Sequence, residues 1–384
     1  MSTPSSEHTV SRRSFLKLAG GAALGAAMFS MPSFSFAREL DNPKRTLKPV
    51  AFKDIPKNAV AAANASPLVQ KSFDHILRLS NTIENGSLRQ AVVRLLNDPT
   101  PTFMQEYSSA ASRSRLYSAL AAQNLIDTSK IDEKHILPPF NGAVQKFKTA
   151  PGSGYGSHHP YPGGLATHTS CNMHITDYIC RTYEEVFYYS VNKDIAIAAQ
   201  ALHDISKPFV FQWNANGSSL TEYPIAGQGA HHALALAEVI YRGFPAEEVV
   251  AQACAHGAPT SKKEEADVAG WLKAAAIIAG KDPVAYGLVG KDGQTIPNPH
   301  HQEGYIVHHD WVLSSPAAQK TVLLLKKIAY QEYGMSQADL EGAAFNHFRN
   351  YVGAQLSYMY LNMLEAEPNG YKLAAEQVAK VVLK

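Results

Sequence analysis

Two short stretches decide how this chain is interpreted: residues 158–169 read HHPYPGGLATHT, and residues 201–208 read ALHDISKP. The paired glycines of the first stretch permit a tight turn into a helix, which places His168 in the first turn of that helix. The second stretch ends an alanine-rich apolar helix at a proline. Neighbouring helical residues project about 100° apart. His203 and Asp204 can therefore meet one metal ion only where the helix end faces a cavity.

Two further histidine positions follow the same pattern. His231 and His232 begin one predicted helix, and His256 ends the next. A single helical histidine is more often a core or capping residue than a ligand. Four helix ends that each carry His or Asp beside Gly or Pro nevertheless favour a shared metal site. Imidazoles combined with a carboxylate suit zinc, iron, manganese or nickel rather than calcium.

The composition is that of an ordinary soluble globular protein. Of its 384 residues 45% are apolar and 18% charged, which excludes a disordered chain, a collagen and a disulfide-stapled miniprotein. The formal charge is +2, and the 37 N-terminal residues carry that excess, because the remainder holds 32 basic and 32 acidic residues. There is thus no strong nucleic-acid signal.

Apolar periodicity predicts a mostly α-helical protein. The predicted helices include residues 103–123, 165–189, 195–205, 230–242, 246–254, 264–278, 315–333, 337–365 and 373–383. A short β-hairpin is predicted where residues 209–213 and 219–223 flank an Asn-Ala-Asn-Gly turn. We expect four regions: a signal peptide at 1–37, a lead-in and helical layer at 38–150, a metal-binding core at 151–285 and a C-terminal helical extension at 286–384.

The N-terminal segment has the pattern of an export signal. Arg12 and Arg13 precede Ser-Phe-Leu-Lys, a weakly apolar run follows, and a small-residue exit ends at Ala37. This arrangement resembles a twin-arginine (Tat) signal. It implies the Tat export machinery as a partner, cleavage near Ala37 and a periplasmic mature chain without a membrane span. An uncleaved anchor helix is the alternative, which the glycines of residues 18–31 make less favourable. The Tat route exports folded proteins, which suits a cofactor inserted in the cytoplasm.

The order His, His-Asp, His, His on successive helices resembles the HD-domain superfamily of metal-dependent phosphohydrolases. Residues 158–169 match its HHAYxGGLxxHT motif, and residues 202–207 match its LLHDIGK motif. Residues 232–240 resemble GHxxxGAEMI, which favours His232 over His231, and residues 255–257 resemble HHG. The resemblance covers about residues 155–280 and implies an HD-domain helical bundle, to which this chain adds N- and C-terminal helices.

The resemblance also implies roles for individual residues. Asp204 and Lys207 would be catalytic: the carboxylate would bridge two ions and orient the nucleophile, and the ammonium would contact the substrate phosphate. His158 and His159 would line the substrate pocket with Lys207. The cofactor would be one or two divalent ions of Mn, Fe, Zn, Ni or Co, and the implied metal ligands are His168, His203, Asp204, His232 and His256.

The sequence departs from the family at one ligand position. The family closes its first site with an Asp on the helix after the last His, and that position falls here on Lys273 or Ala276. Asp267 lies too early along the helix, and Asp282 lies beyond it. A second histidine run could supply a substitute, with a solvated loop as the alternative interpretation; it comprises His300, His301, His308 and His309.

Three functions remain open from the sequence. The first is a periplasmic phosphohydrolase that acts on a small phosphoester or nucleotide through a metal-activated water. The balanced charge favours a small substrate over long RNA, because polyanion binding needs many basic contacts. The second is an HD-type di-iron oxygenase similar to inositol oxygenase. The third is a non-catalytic metal-binding protein, which the missing Asp would explain.

Overall fold

The computed structural model describes residues 47–154, 157–187, 191–257, 259, 261–297 and 310–384. It confirms the predicted mostly α-helical class, since helices dominate and the described strands are two residues long. The predicted signal peptide and the histidines at 300, 301, 308 and 309 lie outside the described residues. Within the described part of the chain, no helix combines the length and the hydropathy needed to cross a bilayer.

The N-terminal layer begins with a short strand and continues as four helices. Side chains of Asn58, Ser66, Asn85 and Ser109 accept hydrogen bonds from the backbone N–H groups of the first turns and so define where these helices start. The elements are β1 (Val50–Ala51), α1 (Ala59–Asn64), α2 (Pro67–Ser80), α3 (Gly86–Asn97) and α4 (Ala110–Ala122).

Six helices and one small antiparallel strand pair form the middle of the chain. They are α5 (Gly164–Phe187), α6 (Lys193–Leu202), α7 (Lys207–Val210), β2 (Pro224–Ile225), β3 (Gln228–Gly229), α8 (Ala230–Tyr241), α9 (Ala246–Cys254) and α10 (Lys262–Ile278). Helices α6, α8 and α9 are almost entirely buried, so their alanines permit close helix packing. One apolar cluster runs from Ala63 to Ile296 and joins these helices to the N-terminal layer.

The C-terminal helices surround a second apolar cluster. Its elements are α11 (Asp310–Tyr333), α12 (Gln337–Leu340), α13 (Ala343–Leu356), α14 (Tyr358–Glu365), α15 (Gly370–Ala379) and β4 (Val382–Leu383). Strand β4 pairs in parallel with β1, with Val50 opposite Val382. Tyr161, from the HHPYPGG stretch, belongs to this second cluster. The C-terminal layer therefore contacts the loop that carries two predicted site histidines.

Four predicted helices differ from the observed ones. The helix expected at 195–205 ends at Leu202, so the His203–Asp204 pair lies in the turn before α7. The single helix expected at 337–365 is three helices, because the chain turns at Gly342 and at Ser357, whose φ is +63°. The first turns of the helix expected at 103–123 form a separate 3-10 helix, Thr102–Tyr107. The last residues of the helix expected at 373–383 leave it to form β4.

The predicted hairpin at 209–223 is only partly present. Its turn forms, since the Gly217 N–H donates a hydrogen bond to the Asn214 carbonyl oxygen at 3.0 Å. An isolated antiparallel β-bridge joins Trp213 to Ser219. The prediction of its first strand at 209–213 is partly wrong, because Phe209 belongs to helix α7. The reason is Pro208, whose fixed φ suits the first turn of a helix and whose missing N–H suits no strand ladder.

Candidate metal centre

The loop before α5 is built around the backbone of His159. Its φ is +47°, which is unusual for a residue with a side chain, and its carbonyl accepts hydrogen bonds from Gly152 N–H and Tyr161 N–H (2.9 Å each). A Cβ at Gly164 would overlap that carbonyl, and one at Gly152 would lie 2.8 Å from His159 Cβ. These glycines let the loop fold back on α5. The centroids of the His158 and His168 rings are then 4.6 Å apart.

This close approach predicts that Gly164→Ala destabilises the protein strongly. The clash is with backbone, which cannot move aside as a flexible side chain can, so we expect a loss of about 3 kcal/mol in the free energy of unfolding. Denaturant unfolding measures it. Gly270→Ala is the matched control, because a Cβ there would meet only the Ala226 Cβ at 3.9 Å. Equal stability of the two variants would contradict the packing described here.

His168, His203 and Asp204 form the best-defined donor set. All three are buried, with exposed fractions of 1% or less. Asp204 Oδ2 lies 3.3 Å from His168 Nε2 and 3.1 Å from His203 Nε2, and the two nitrogens are 3.3 Å apart. Neighbouring ligands of an ion bound at 2.0–2.2 Å are about 3.0–3.5 Å apart. The set therefore has the spacing of ligands that share one ion.

The protonation of His203 suits that role. Its Nδ1 lies 2.8 Å from the Gln200 carbonyl oxygen, which can only accept, so Nδ1 carries the proton. In the neutral ring the lone pair is then on Nε2, which faces His168 and Asp204. A backbone acceptor that fixes the tautomer in this way is typical of metal-binding histidines.

Lys207 supplies a buried positive charge beside Asp204. Its Nζ lies 2.6 Å from Asp204 Oδ2 and also donates to the Gly152 carbonyl. Burial acts to raise the pKa of the Asp204 carboxyl, but the adjacent His203 and Lys207 outweigh burial and hold that pKa well below its usual value. Asp204 is therefore ionised at neutral pH, as a metal ligand must be.

Three more histidines lie on the other side of Asp204. His231, His232 and His256 offer ligand atoms within 4.8 Å of one another. Burial lowers the pKa of His232 and of His256 well below the usual value, so both are neutral. The His232 ring stacks on the His256 ring at 3.7 Å and packs against Trp271 at 5.3 Å.

The third histidine group is His158, His159 and His168, whose ligand atoms also lie within 4.8 Å of one another. Burial is the main cause that lowers the pKa of His158 well below its usual value, and the charge of Lys207 adds to it. Tyr161 Oη lies 3.2 Å from His159 Nδ1 and 2.9 Å from Thr167 Oγ1. The residues expected to line a substrate pocket thus lie beside the metal ligands.

Glu222 is a site residue that the sequence did not reveal. Its Oε2 lies 2.7 Å from His231 Nδ1 and accepts from the His231 N–H at 3.2 Å. Burial acts to raise the Glu222 pKa, but the adjacent His231 outweighs it and the pKa is lowered. No local motif marks Glu222, because it lies in the segment expected to be the second hairpin strand.

None of the four residues considered at the missing Asp position replaces it among the described residues. Lys273 lies beside Gly293, and Ala276 is buried in the apolar cluster. Asp267 pairs with Lys263 at 2.8 Å on the exposed face of α10, and Asp282 accepts from Ala285 N–H in a turn. The candidate ligands among the described residues are therefore histidines and the Asp204 carboxylate.

The chain is similar to one characterised enzyme, the dihydroneopterin 2′,3′-cyclic phosphate phosphodiesterase of Methanocaldococcus jannaschii. The two are 28% identical over 185 residues, which cover 48% of this chain and 59% of the relative. This chain thus spans less than two thirds of that enzyme. No protein-family profile and no solved structure matches the chain.

Proposed function

We propose that this protein is a metal-dependent phosphohydrolase that acts on a small phosphoester. The observation that carries the proposal is the buried Asp204 carboxylate, which faces His168 and His203 through one oxygen and a second histidine group through the other. Its Oδ2 pairs with Lys207 Nζ at 2.6 Å, whereas Oδ1 has no hydrogen-bond partner among the described residues. A buried carboxylate oxygen without a partner is costly unless a cation lies beside it, so the arrangement fits divalent metal binding.

Divalent ions bound here would lower the pKa of a water molecule and polarise a phosphoryl oxygen. The chain's own residues would do the rest. Asp204 holds the ligand set together as its central anion. Lys207 keeps that carboxylate ionised and places a fixed positive charge beside the developing negative charge on phosphorus-bound oxygens. His158 and His159 line the adjoining wall, where their ring N–H groups would donate hydrogen bonds to phosphate oxygens.

The proposed substrate class is a small phosphodiester or nucleotide. Beyond residue 37 the chain has equal numbers of basic and acidic residues, which gives a long polyanion no general attraction. The similar enzyme from Methanocaldococcus jannaschii is named for a small cyclic phosphodiester. A compact site lined by buried histidines agrees with a ligand of that size.

The test is hydrolysis by metal-loaded protein. The mature chain is stripped with chelator, reloaded separately with Mn, Fe, Zn, Ni or Co, and assayed with bis(p-nitrophenyl) phosphate and 2′,3′-cyclic AMP. We expect turnover with at least one metal and none after chelation. Metal binding without hydrolysis of any phosphoester would contradict the hydrolase and leave the non-catalytic alternative. Iron-dependent oxygen consumption would favour the oxygenase.

We also propose that the protein is exported to the periplasm by the Tat pathway. The Arg12–Arg13 pair and the small-residue exit at Ala37 support this proposal. Changing both arginines to lysine should leave precursor in the cytoplasm, whereas Arg45→Lys, outside the signal, should be exported normally. Cell fractionation with immunoblotting measures both. Normal export of the double variant would refute the twin-arginine assignment.

A further inference from the structure

The two oxygens of Asp204 face different histidines. Oδ2 faces His168 and His203, as described above. Oδ1 lies 3.7 Å from His231 Nε2 and 3.8 Å from His256 Nε2. Both distances are too long for hydrogen bonds. They are longer than the spacing of the first ligand set, but two donors bound at about 2.1 Å can lie up to about 4 Å apart when they approach the ion at a wide angle. His256 Nε2 also lies 3.0 Å from the His203 carbonyl oxygen, which can only accept, so this nitrogen carries the proton of the neutral ring. On this side, the histidine that can offer a lone pair to Asp204 Oδ1 is therefore His231.

The hydrogen bonds of His231 fix its lone pair on the nitrogen that faces Asp204. Glu222 Oε2 lies 2.7 Å from His231 Nδ1, and an ionised carboxylate can only accept, so Nδ1 carries the proton. The neutral ring then has its lone pair on Nε2. A lone pair on nitrogen and an unpartnered carboxylate oxygen thus face each other across 3.7 Å, an arrangement that a cation between them stabilises.

The surroundings hold this pair in place. Ser206 Oγ donates to the His231 carbonyl at 2.7 Å, which ties His231 to the turn that follows Asp204. A Cβ at Gly229 would lie 2.5 Å from Glu222 Oε1, so the glycine leaves room for the carboxylate. The first contact holds the His231 backbone, and the second leaves space for the carboxylate that bonds the His231 ring.

His232 is oriented differently. Its ring lies nearly parallel to the His256 ring, with 13° between the planes and 3.7 Å between the centroids. Neither nitrogen of His232 lies within 4.0 Å of an Asp204 oxygen, whereas the Nε2 atoms of His231 and His256 do. Trp271 packs edge-on against the same ring, so His232 forms part of the wall of the site.

We propose that His231, positioned by Glu222, is the ligand of a second divalent cation that Asp204 Oδ1 shares, in the place that the family resemblance gives to His232. This inference rests on the proposed metal centre. It adds Glu222 as a positioning residue, in the arrangement of carboxylate, histidine and metal that fixes ligand direction. It concerns which side chains hold the cation.

The test measures Mn²⁺ binding by the mature chain, without any substrate. Elemental analysis gives ions per chain, titration calorimetry gives the two affinities, and electron paramagnetic resonance distinguishes a coupled Mn pair from a single ion. The variants are His231→Ala, His232→Ala and Glu222→Gln, with His135→Ala as the control because His135 is exposed and bonded to Asp132. Circular dichroism checks the fold of each.

We expect two coupled ions in the wild type, the control and His232→Ala, and one uncoupled ion in His231→Ala. Glu222→Gln should keep the first affinity and weaken the second about 10–100-fold. Two coupled ions in His231→Ala, or loss of the second ion in His232→Ala, would overturn the inference. If His231→Ala fails to fold, unchanged affinities in Glu222→Gln would overturn it instead. A wild type that binds no metal would refute the metal centre itself, which separates that failure from this one.

Discussion

Asp204→Asn is expected to reduce phosphoester hydrolysis at least about 1000-fold and to remove bound metal. The amide has nearly the shape of the carboxylate but lacks its charge. It would place a neutral group between His168, His203 and Lys207, all of which lie within 3.3 Å of Asp204 Oδ2. The buried Lys207 ammonium would also lose its ion-pair partner. Assays at saturating metal and elemental analysis measure the two losses.

The control for this substitution is a second buried, ion-paired aspartate outside the centre. Asp177 is 7% exposed and pairs with Lys193 at 2.6 Å. Asp177→Asn should lower thermal stability but keep metal content and turnover within about twofold. Equal activity losses in the two variants would mean that Asp204 acts through folding, which would contradict its place at the centre of the site.

Much of the helical fold could be predicted because local signals agree with the packing. Helix α9 begins at Ala246 and ends at Cys254 as predicted, since Pro245 precedes it and its apolar face is fully buried. The helix expected at 195–205 is present as α6, although it ends at Leu202 and leaves the His203–Asp204 pair in the turn that follows. These features depend on short stretches of sequence, which explains the agreement.

Features set by distant residues could not be predicted. Strand β1 pairs with β4, so the two ends of the described chain meet, and no local pattern indicates that pairing. The break at Ser357 depends on how Tyr358 packs against Gly353 and Tyr161. Glu222 reaches His231 only because the chain reverses between them at β2 and β3.

The C-terminal layer has a place in the site that its sequence does not show. Tyr161 packs in the C-terminal apolar cluster while its hydroxyl contacts His159 and Thr167. Arg349, buried in α13, donates to the Pro160 carbonyl at 3.4 Å. The helices beyond the region of family resemblance therefore hold the loop that presents His158 and His159 to the metal centre.

A separate buried acid should contribute stability that is lost as pH rises. Glu248 in α9 is fully buried, and neither carboxyl oxygen has a hydrogen-bond partner among the described residues. Burial raises its pKa from 4.5 to about 8. Glu248→Gln, which keeps the shape and removes the titration, should abolish the resulting pH dependence. Denaturant unfolding between pH 4.5 and pH 9 measures it.

The direction of this pH dependence follows from whether the folded or the unfolded protein holds the Glu248 proton. Between pH 4.5 and pH 8 the unfolded chain releases the Glu248 proton while the folded protein keeps it, so unfolding becomes easier as pH rises. The stability present below pH 4.5 is lost progressively up to about pH 8, by about 5 kcal/mol in total. The glutamine variant should therefore resemble the wild type at pH 4.5 and be more stable at pH 9. Glu247→Gln on the more exposed neighbouring position should keep the wild-type slope. A difference in unfolding free energy between the wild type and Glu248→Gln that stays constant from pH 4.5 to pH 9 would show that burial does not raise the Glu248 pKa.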